Sequence, residues 1–260
     1  MMQVVILCGG LGTRMREETE FRPKPLVNIG NHPILWHIMQ IYAHHGYRDF
    51  VFCLGYKGTM IKEYFLNYEA FTHDLTVHLG SGQHVELLPD AEPDGDFRVT
   101  LANTGEETMT GGRIKRIRRH IDGDTFMVTY GDAVADIDID KVVAFHRSHG
   151  KLATLSCVRP TSRFGVLALG AGDRVQAINE KPQLDGWVNA GFFVFNVGVF
   201  DYLTGDDCIL ESGPLDNLAH DDELRAYRHD GVWYPMDTYR EVLMLNEMWR
   251  AGEAGWKVWK

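Results

Sequence analysis

Five consecutive apolar residues, Val4, Val5, Ile6, Leu7 and Cys8, run directly into Gly9, Gly10, Leu11, Gly12, Thr13 and Arg14, and no other stretch constrains the chain as much. The pattern is a buried strand that opens into a glycine-rich turn. Glycines reach φ > 0 and let backbone N–H groups converge with no Cβ in the way, which makes an anion cradle. Thr13 adds a hydroxyl, Arg14 adds charge, and Arg22, Pro23, Lys24 and Pro25 follow with a further ammonium. A polyphosphate is the guest such a turn suits. Two familiar phosphate loops do not match. The dinucleotide fingerprint needs a third glycine where Met15 stands, a helix opening directly from the turn and an acid about 20 residues on. The P-loop needs Lys and then Ser or Thr after its last glycine, whereas Gly12 is followed by Thr13 and Arg14. On the glycines alone, an ordinary strand-to-loop turn with solvated cations stays open.

The net charge of −10 argues against a general nucleic-acid surface, because phosphate-backbone affinity is carried by excess Lys and Arg. Any anion site is therefore local. Cys8, Cys53, Cys157 and Cys208 show no CxxC spacing and read as reduced thiols of a cytoplasmic protein. No apolar run approaches the roughly 18 residues of a membrane span. With 260 residues, the chain fits one domain at the upper end of the usual size.

Leu35, Ile38 and Tyr42 fall at helical spacing over 33–45, between Pro33 and Gly46. An all-apolar strand follows at 50–54, then a helix over 57–68 with Met60, Ile61, Tyr64 and Phe65 on its inner face. Strand, helix, strand, helix is the opening of a right-handed α/β fold. Between 70 and 103 the pattern changes to short alternating pieces, at 75–79, 85–88 and 97–101, which read as an inserted antiparallel segment. A polar loop from Thr104 then leads to a helix over 113–121 with an Ile114, Ile117, Ile121 stripe, and Arg113 is placed at its N-terminus, where anions gather.

The strand ending in Tyr130, Gly131 and Asp132 points Asp132 beyond the carboxyl end of the sheet, the edge where ligands of open α/β sheets sit. Capping is an alternative use for it, but Asp136 and Asp138 are better placed to cap the helix over 139–149. Near the C-terminus, Thr238 and Glu241 match a capping box, which leaves Asp237 without a local task and makes it a second candidate metal ligand. Glu180 and Lys181 at a strand end allow two readings, a surface ion pair or a carboxylate for sugar hydroxyls beside an ammonium for phosphate. The histidines at 44–45 and at 146 and 149 lack partners at zinc spacing, and no Ser, His and Asp set stands in a nucleophile-elbow context.

Gly9 to Arg14, Pro23 to Pro25, Gly131 and Asp132, Glu180 to Pro182 and Asn189 to Gly191 together resemble, in order and spacing, the sugar-phosphate nucleotidyltransferases. Longer runs at 30–39, 109–113, 130–136 and 235–238 resemble the cytidylyl branch of that family, and the likeness covers essentially the whole chain. The resemblance implies a Rossmann-like three-layer α/β fold with a mixed sheet. It implies Mg²⁺-dependent transfer of a cytidylyl group from CTP to a sugar 1-phosphate, glucose 1-phosphate first, giving CDP-glucose and pyrophosphate. Leu7, Gly9, Gly10, Leu11, Gly12, Thr13, Arg14, Lys24, Thr108, Arg113 and Asp132 would bind the nucleotide, while Tyr130, Glu180, Lys181 and Asn189 would face the sugar phosphate. Asp132 and Asp237 would hold Mg²⁺, with Arg14 and Lys24 beside them as catalytic cations. Family members of this branch are similar in being homo-oligomers. The run 183–188 departs from the family by being bulkier beside the sugar site than the usual glycine-rich stretch. Cys8, where the family commonly has Ala, is a small departure.

Overall fold

The structure is a computed structural model and describes residues 2–80, 84–87, 96–162 and 164–259. Its central sheet has seven strands: β1 (Val4–Cys8), β2 (Asp49–Leu54), β3 (Arg98–Asn103), β4 (Thr125–Tyr130), β5 (Ala153–Val158), β6 (Val188–Asn196) and β7 (Leu224–Arg228). They lie in the spatial order β7-β5-β6-β4-β1-β2-β3. β1 pairs in parallel with both β2 and β4, so that Leu7 stands opposite Cys53 on one side and Tyr130 on the other. β6 alone runs against its neighbours, antiparallel to β4 and β5.

Among the described residues, six helices of seven residues or more flank the sheet: α1 (Ile34–His44), α2 (Gly58–Leu66), α3 (Thr110–Arg116), α4 (Ile139–His149), α5 (Pro214–His220) and α6 (Tyr239–Ala251). Successive side chains of a strand point to opposite faces, and β1 shows the result. Val4, Ile6 and Cys8 join the core under α1, α4 and α6, whereas Val5 and Leu7 join the core under α3 and α5. A strand that must be apolar on both sides has no room for alternation, hence the unbroken run.

Two expectations change. The piece at 97–101 is not part of an antiparallel insert: Arg98–Asn103 is the edge strand β3, parallel to β2 with Phe50 opposite Val99. Its sequence alternates polar and apolar residues and most of it is only partly buried, as at a sheet edge, and it read as a hairpin strand for that reason. Leu75–His78 and His84–Leu87 do form an antiparallel pair, while Leu88 and the Pro and Asp turn after it lie outside the described residues. The second helix ends earlier, at Leu66, and of its expected inner face Ile61 is fully buried while Phe65 packs partly against the core. All four cysteines are buried and free. Among the described residues no helix is long and apolar enough to cross a membrane.

The C-terminal tryptophans dock onto the body of the protein. Trp256 is wholly buried and donates its indole N–H to His37 Nδ1 at 3.4 Å, and the opposite ring nitrogen of His37 meets the Ile29 carbonyl at 2.9 Å. That arrangement fixes a neutral imidazole with its proton on Nε2. Burial pulls the His37 pKa from 6.5 down to about 4. Between those values the unfolded chain binds a proton that the folded chain refuses, so stability falls as pH drops from about 6.5 to about 4, by about 3 kcal/mol. Denaturant midpoints at pH 7 and pH 4.5 measure this, and the His37→Phe protein is expected to show a distinctly flatter pH dependence. Equal slopes in the two proteins would exclude His37 as the source.

Candidate active site

At the end of β1 the chain enters the glycine turn. Gly12 has φ +61, and a Cβ there would stand 2.6 Å from the Thr19 methyl, so both conformation and space require glycine. The turn does open into a short helix, a 3-10 turn at Thr13–Met15 continued by Arg16–Thr19, which the sequence reading did not expect. Met15 N–H donates to the Gly12 carbonyl at 3.0 Å and the Thr19 hydroxyl donates to the same oxygen at 3.1 Å, fixing the turn from below.

Arg113 is the main correction at this site. It is not at a helix N-terminus, because α3 begins at Thr110 and Gly111 and Gly112 belong to the helix. A Cβ on Gly111 would lie 2.6 Å from Cys208 Sγ and one on Gly112 would lie 2.7 Å from the Gly205 and Asp206 carbonyls. These glycines let the helix press against the segment 205–208; they do not make a loop. Arg113, only 4 % exposed, turns its guanidinium under the phosphate turn. Nη2 donates to the Gly9 carbonyl at 3.0 Å and to Glu106 O at 3.1 Å, while Nη1 donates to Gly105 O at 2.7 Å, Thr104 Oγ1 at 2.9 Å and Leu54 O at 3.2 Å. It clamps the turn to the 104–106 loop, and Gly9 is glycine because a Cβ would meet the guanidinium carbon at 2.1 Å.

Opposite the turn, two acids from distant parts of the chain converge. Asp132 follows β4, and Asp237 precedes α6, whose capping box of Thr238 and Glu241 is complete. The Glu241 carboxylate also accepts the Asp237 backbone N–H at 2.7 Å, which fixes the direction of the Asp237 side chain. Lys24 Nζ lies 2.7 Å from Asp132 Oδ2 and 2.7 Å from Asp237 Oδ1, and Arg14 Nη1 reaches Asp237 Oδ2 at 2.9 Å. Burial disfavours the Lys24 ammonium, but the two carboxylates outweigh it and hold its pKa above the ordinary lysine value. Thr238→Ala should cost about 1 kcal/mol of stability through the lost cap, measurable as a lower denaturant midpoint, with some loss of turnover as Asp237 loosens.

These groups line one cleft of about 470 Å³ together with Leu7, Thr108 and Tyr130. Leu7, Gly9 to Arg14, Lys24, Thr108, Arg113, Tyr130, Asp132 and Asp237 are therefore brought together. Asn189, near the start of the reversed strand β6, donates to the Tyr130 hydroxyl at 3.3 Å. Glu180 and Lys181 are not brought in: they are exposed, at the end of a hairpin (Val166–Leu169 with Val175–Asn179) that pairs with no strand of the central sheet. Glu211 escaped the sequence reading altogether. It binds both Tyr130 and Thr110 from an exposed loop position, and no periodicity or motif marks it. The histidines are tied elsewhere, with His146 and His149 both on the Thr154 hydroxyl. His45 meets Asp138 and Asp140, of which Asp138 already caps α4 and pairs with Lys141.

The charge pattern defines the class. A backbone cradle and two cations face a pair of carboxylates, and the cleft contains no activated nucleophile, so the site handles phosphates by position and charge. The Nucleotidyl transferase family profile matches residues 3–231, and the chain belongs to that family of enzymes. It is similar to glucose-1-phosphate cytidylyltransferase of Salmonella typhimurium, 48% identical with 100% of both chains covered. It is also similar to the probable glucose-1-phosphate cytidylyltransferase of Bacillus subtilis, 45% identical over 99% of this chain and 100% of the other. Among solved structures, HddC from Yersinia pseudotuberculosis superposes with a TM-score of 0.69 at 23% identity, covering 96% of this chain and 100% of that one. A UDP-glucose pyrophosphorylase complexed with UDP-glucose does so with 0.70 at 13% identity, covering 97% and 99%. Both share the mixed-sheet α/β fold. Members of the family typically work with a divalent metal, and two hard carboxylates that already meet one cation, the Lys24 ammonium, fit such an ion.

Proposed function

We propose that the enzyme transfers a cytidylyl group from CTP to α-D-glucose 1-phosphate, giving CDP-glucose and pyrophosphate. The observation that carries this reading is that Asp132, Asp237 and Lys24 converge beside the glycine turn in a chain 48% identical, end to end, to a cytidylyltransferase of that substrate.

A phosphate oxygen of the sugar 1-phosphate attacks the α-phosphorus of CTP. The new P–O bond forms as the bond to the β-phosphate oxygen breaks, and pyrophosphate leaves with that electron pair. The attacking phosphate is already ionised at neutral pH, so no general base is needed. What opposes reaction is repulsion between two anions and the charge building on the leaving group. The backbone N–H groups of the turn, Thr13 and Arg14 hold the triphosphate, and an entering phosphate competes with Asp132 and Asp237 for the Lys24 ammonium. Asp132 and Asp237 would hold Mg²⁺, which supplies charge neutralisation and orientation to the phosphates. Leu7 and Thr108 line the nucleoside half, and Tyr130 and Asn189 the acceptor half. Glu180 and Lys181 join the acceptor only if their hairpin swings toward the cleft.

Exposed Phe164, Leu167, Leu169 and Ile178 on and beside that hairpin form an apolar surface of the kind that self-association covers, which supports a homo-oligomer. Four unpaired buried thiols support a reducing, cytoplasmic setting.

The test is pyrophosphate release over CTP, UTP, dTTP, GTP and ATP against a panel of hexose 1-phosphates, with Mg²⁺ and with a chelator. CTP and glucose 1-phosphate should be the most active pair and should require the metal. Greater turnover with another nucleotide or acceptor would replace the assignment, and undiminished turnover in chelator would remove the metal.

A further inference from the structure

Glu211 sits in the loop before α5 and spends its two carboxylate oxygens on two residues that line the cleft. Oε1 accepts the Tyr130 hydroxyl, and Oε2 accepts the Thr110 hydroxyl at 2.8 Å. Thr110 in turn accepts the Leu210 N–H at 2.9 Å. The backbone beside Glu211 is fastened to the nucleotide side, because the Met109 and Gly111 N–H groups donate to Asp206 O and Cys208 O, each at 2.8 Å. Glu211 is thus held from behind, although its side chain is exposed.

A phenol hydroxyl has one proton and two lone pairs. Tyr130 gives its proton to Glu211, and one lone pair takes the Asn189 N–H. What it can still offer the cleft is a single lone pair. Without the carboxylate the O–H would be free to rotate, and the phenol would no longer present a fixed lone pair to the cleft.

We propose that Glu211 is a positioning residue that fixes Tyr130 as a hydrogen-bond acceptor for one hydroxyl of the acceptor sugar, so that the enzyme selects sugar 1-phosphates carrying a hydroxyl there. This rests on the reading that Tyr130 and Asn189 face the acceptor.

The experiment measures pyrophosphate release by wild type, Glu211→Gln, Glu211→Ala, Tyr130→Phe and the Ala/Phe double variant. The acceptor is whichever hexose 1-phosphate the wild type uses best, together with its monodeoxy analogues. Glu211→Ala and Tyr130→Phe should each raise the acceptor KM about ten-fold while the nucleotide KM stays within about two-fold. The double variant should match either single one, because both remove the same contact. Glu211→Gln, whose amide oxygen still accepts the phenol proton, should restore most of the acceptor KM. One deoxy analogue, poor for the wild type, should be nearly equal to the parent sugar in both single variants. Independent, multiplying effects, or an acceptor KM unmoved by Glu211→Ala, would overturn the inference. If Glu211→Ala does not fold, Tyr130→Phe on the deoxy series decides, and retained discrimination at every hydroxyl overturns it. A wild type that prefers another acceptor changes only the proposed substrate, and one that turns over no sugar 1-phosphate overturns both readings.

Discussion

Asp237→Asn is expected to release pyrophosphate about 10³-fold more slowly than wild type, and Asp132→Asn similarly, with little change in either fold. Both carboxylates are partly exposed and contribute no core packing, so the amide removes a charge and little else. Two anions have to be brought together in this cleft, and the paired carboxylates are what would assemble the compensating cations there. Circular dichroism and melting temperature check the fold, and single-turnover pyrophosphate release checks the chemistry. Rates within ten-fold of wild type in both variants would mean that the reacting phosphates lie elsewhere.

Arg113→Met separates a direct ligand from a clamp. As a phosphate or base ligand, Arg113 would lower nucleotide affinity when removed and leave the ligand-free protein as stable as before. As the clamp seen here, it leaves carbonyls of Leu54, Gly105, Glu106 and Gly9 short of a buried donor. The expected loss is about 3 kcal/mol, or roughly 6–10 °C in melting temperature, before any nucleotide is added. Nucleotide KM should rise as well, since the turn loses its support. An unchanged melting temperature with a raised KM would restore the direct role.

The strands β1 and β2 were legible because burial on both faces leaves an apolar run, and α1 and α6 because their period and caps agree. Asp132 and Asp237 were legible for a similar reason, each lying beside an element that already had its own cap. Local pattern was not enough for β3, where edge exposure imitates a hairpin, or for α3. Gly111 and Gly112 look like loop residues until the chain at 205–208 is laid against them. A different tertiary contact, with Gly9, Leu54 and residues 104–106, hides the use of Arg113. Glu211 had no local signal at all, since its partners lie 81 and 101 residues away. Sequence pattern shows what an element needs from its immediate neighbours; contacts made by exposed loops across the cleft leave no period behind.

The reversed strand bears on how such an enzyme changes its substrate over evolutionary time. Because β6 runs backwards, the chain between β5 and β6 leaves and re-enters the sheet at the cleft edge, and its hairpin pairs with no strand of the central sheet. Residues 159–187 can therefore be lengthened, shortened or replaced without shifting the register of β1 on β4 or disturbing the turn at Gly9 to Arg14. A change of length or composition in that segment leaves the glycine turn and its Arg113 clamp where they are, so the nucleotide-side scaffold is insulated from it.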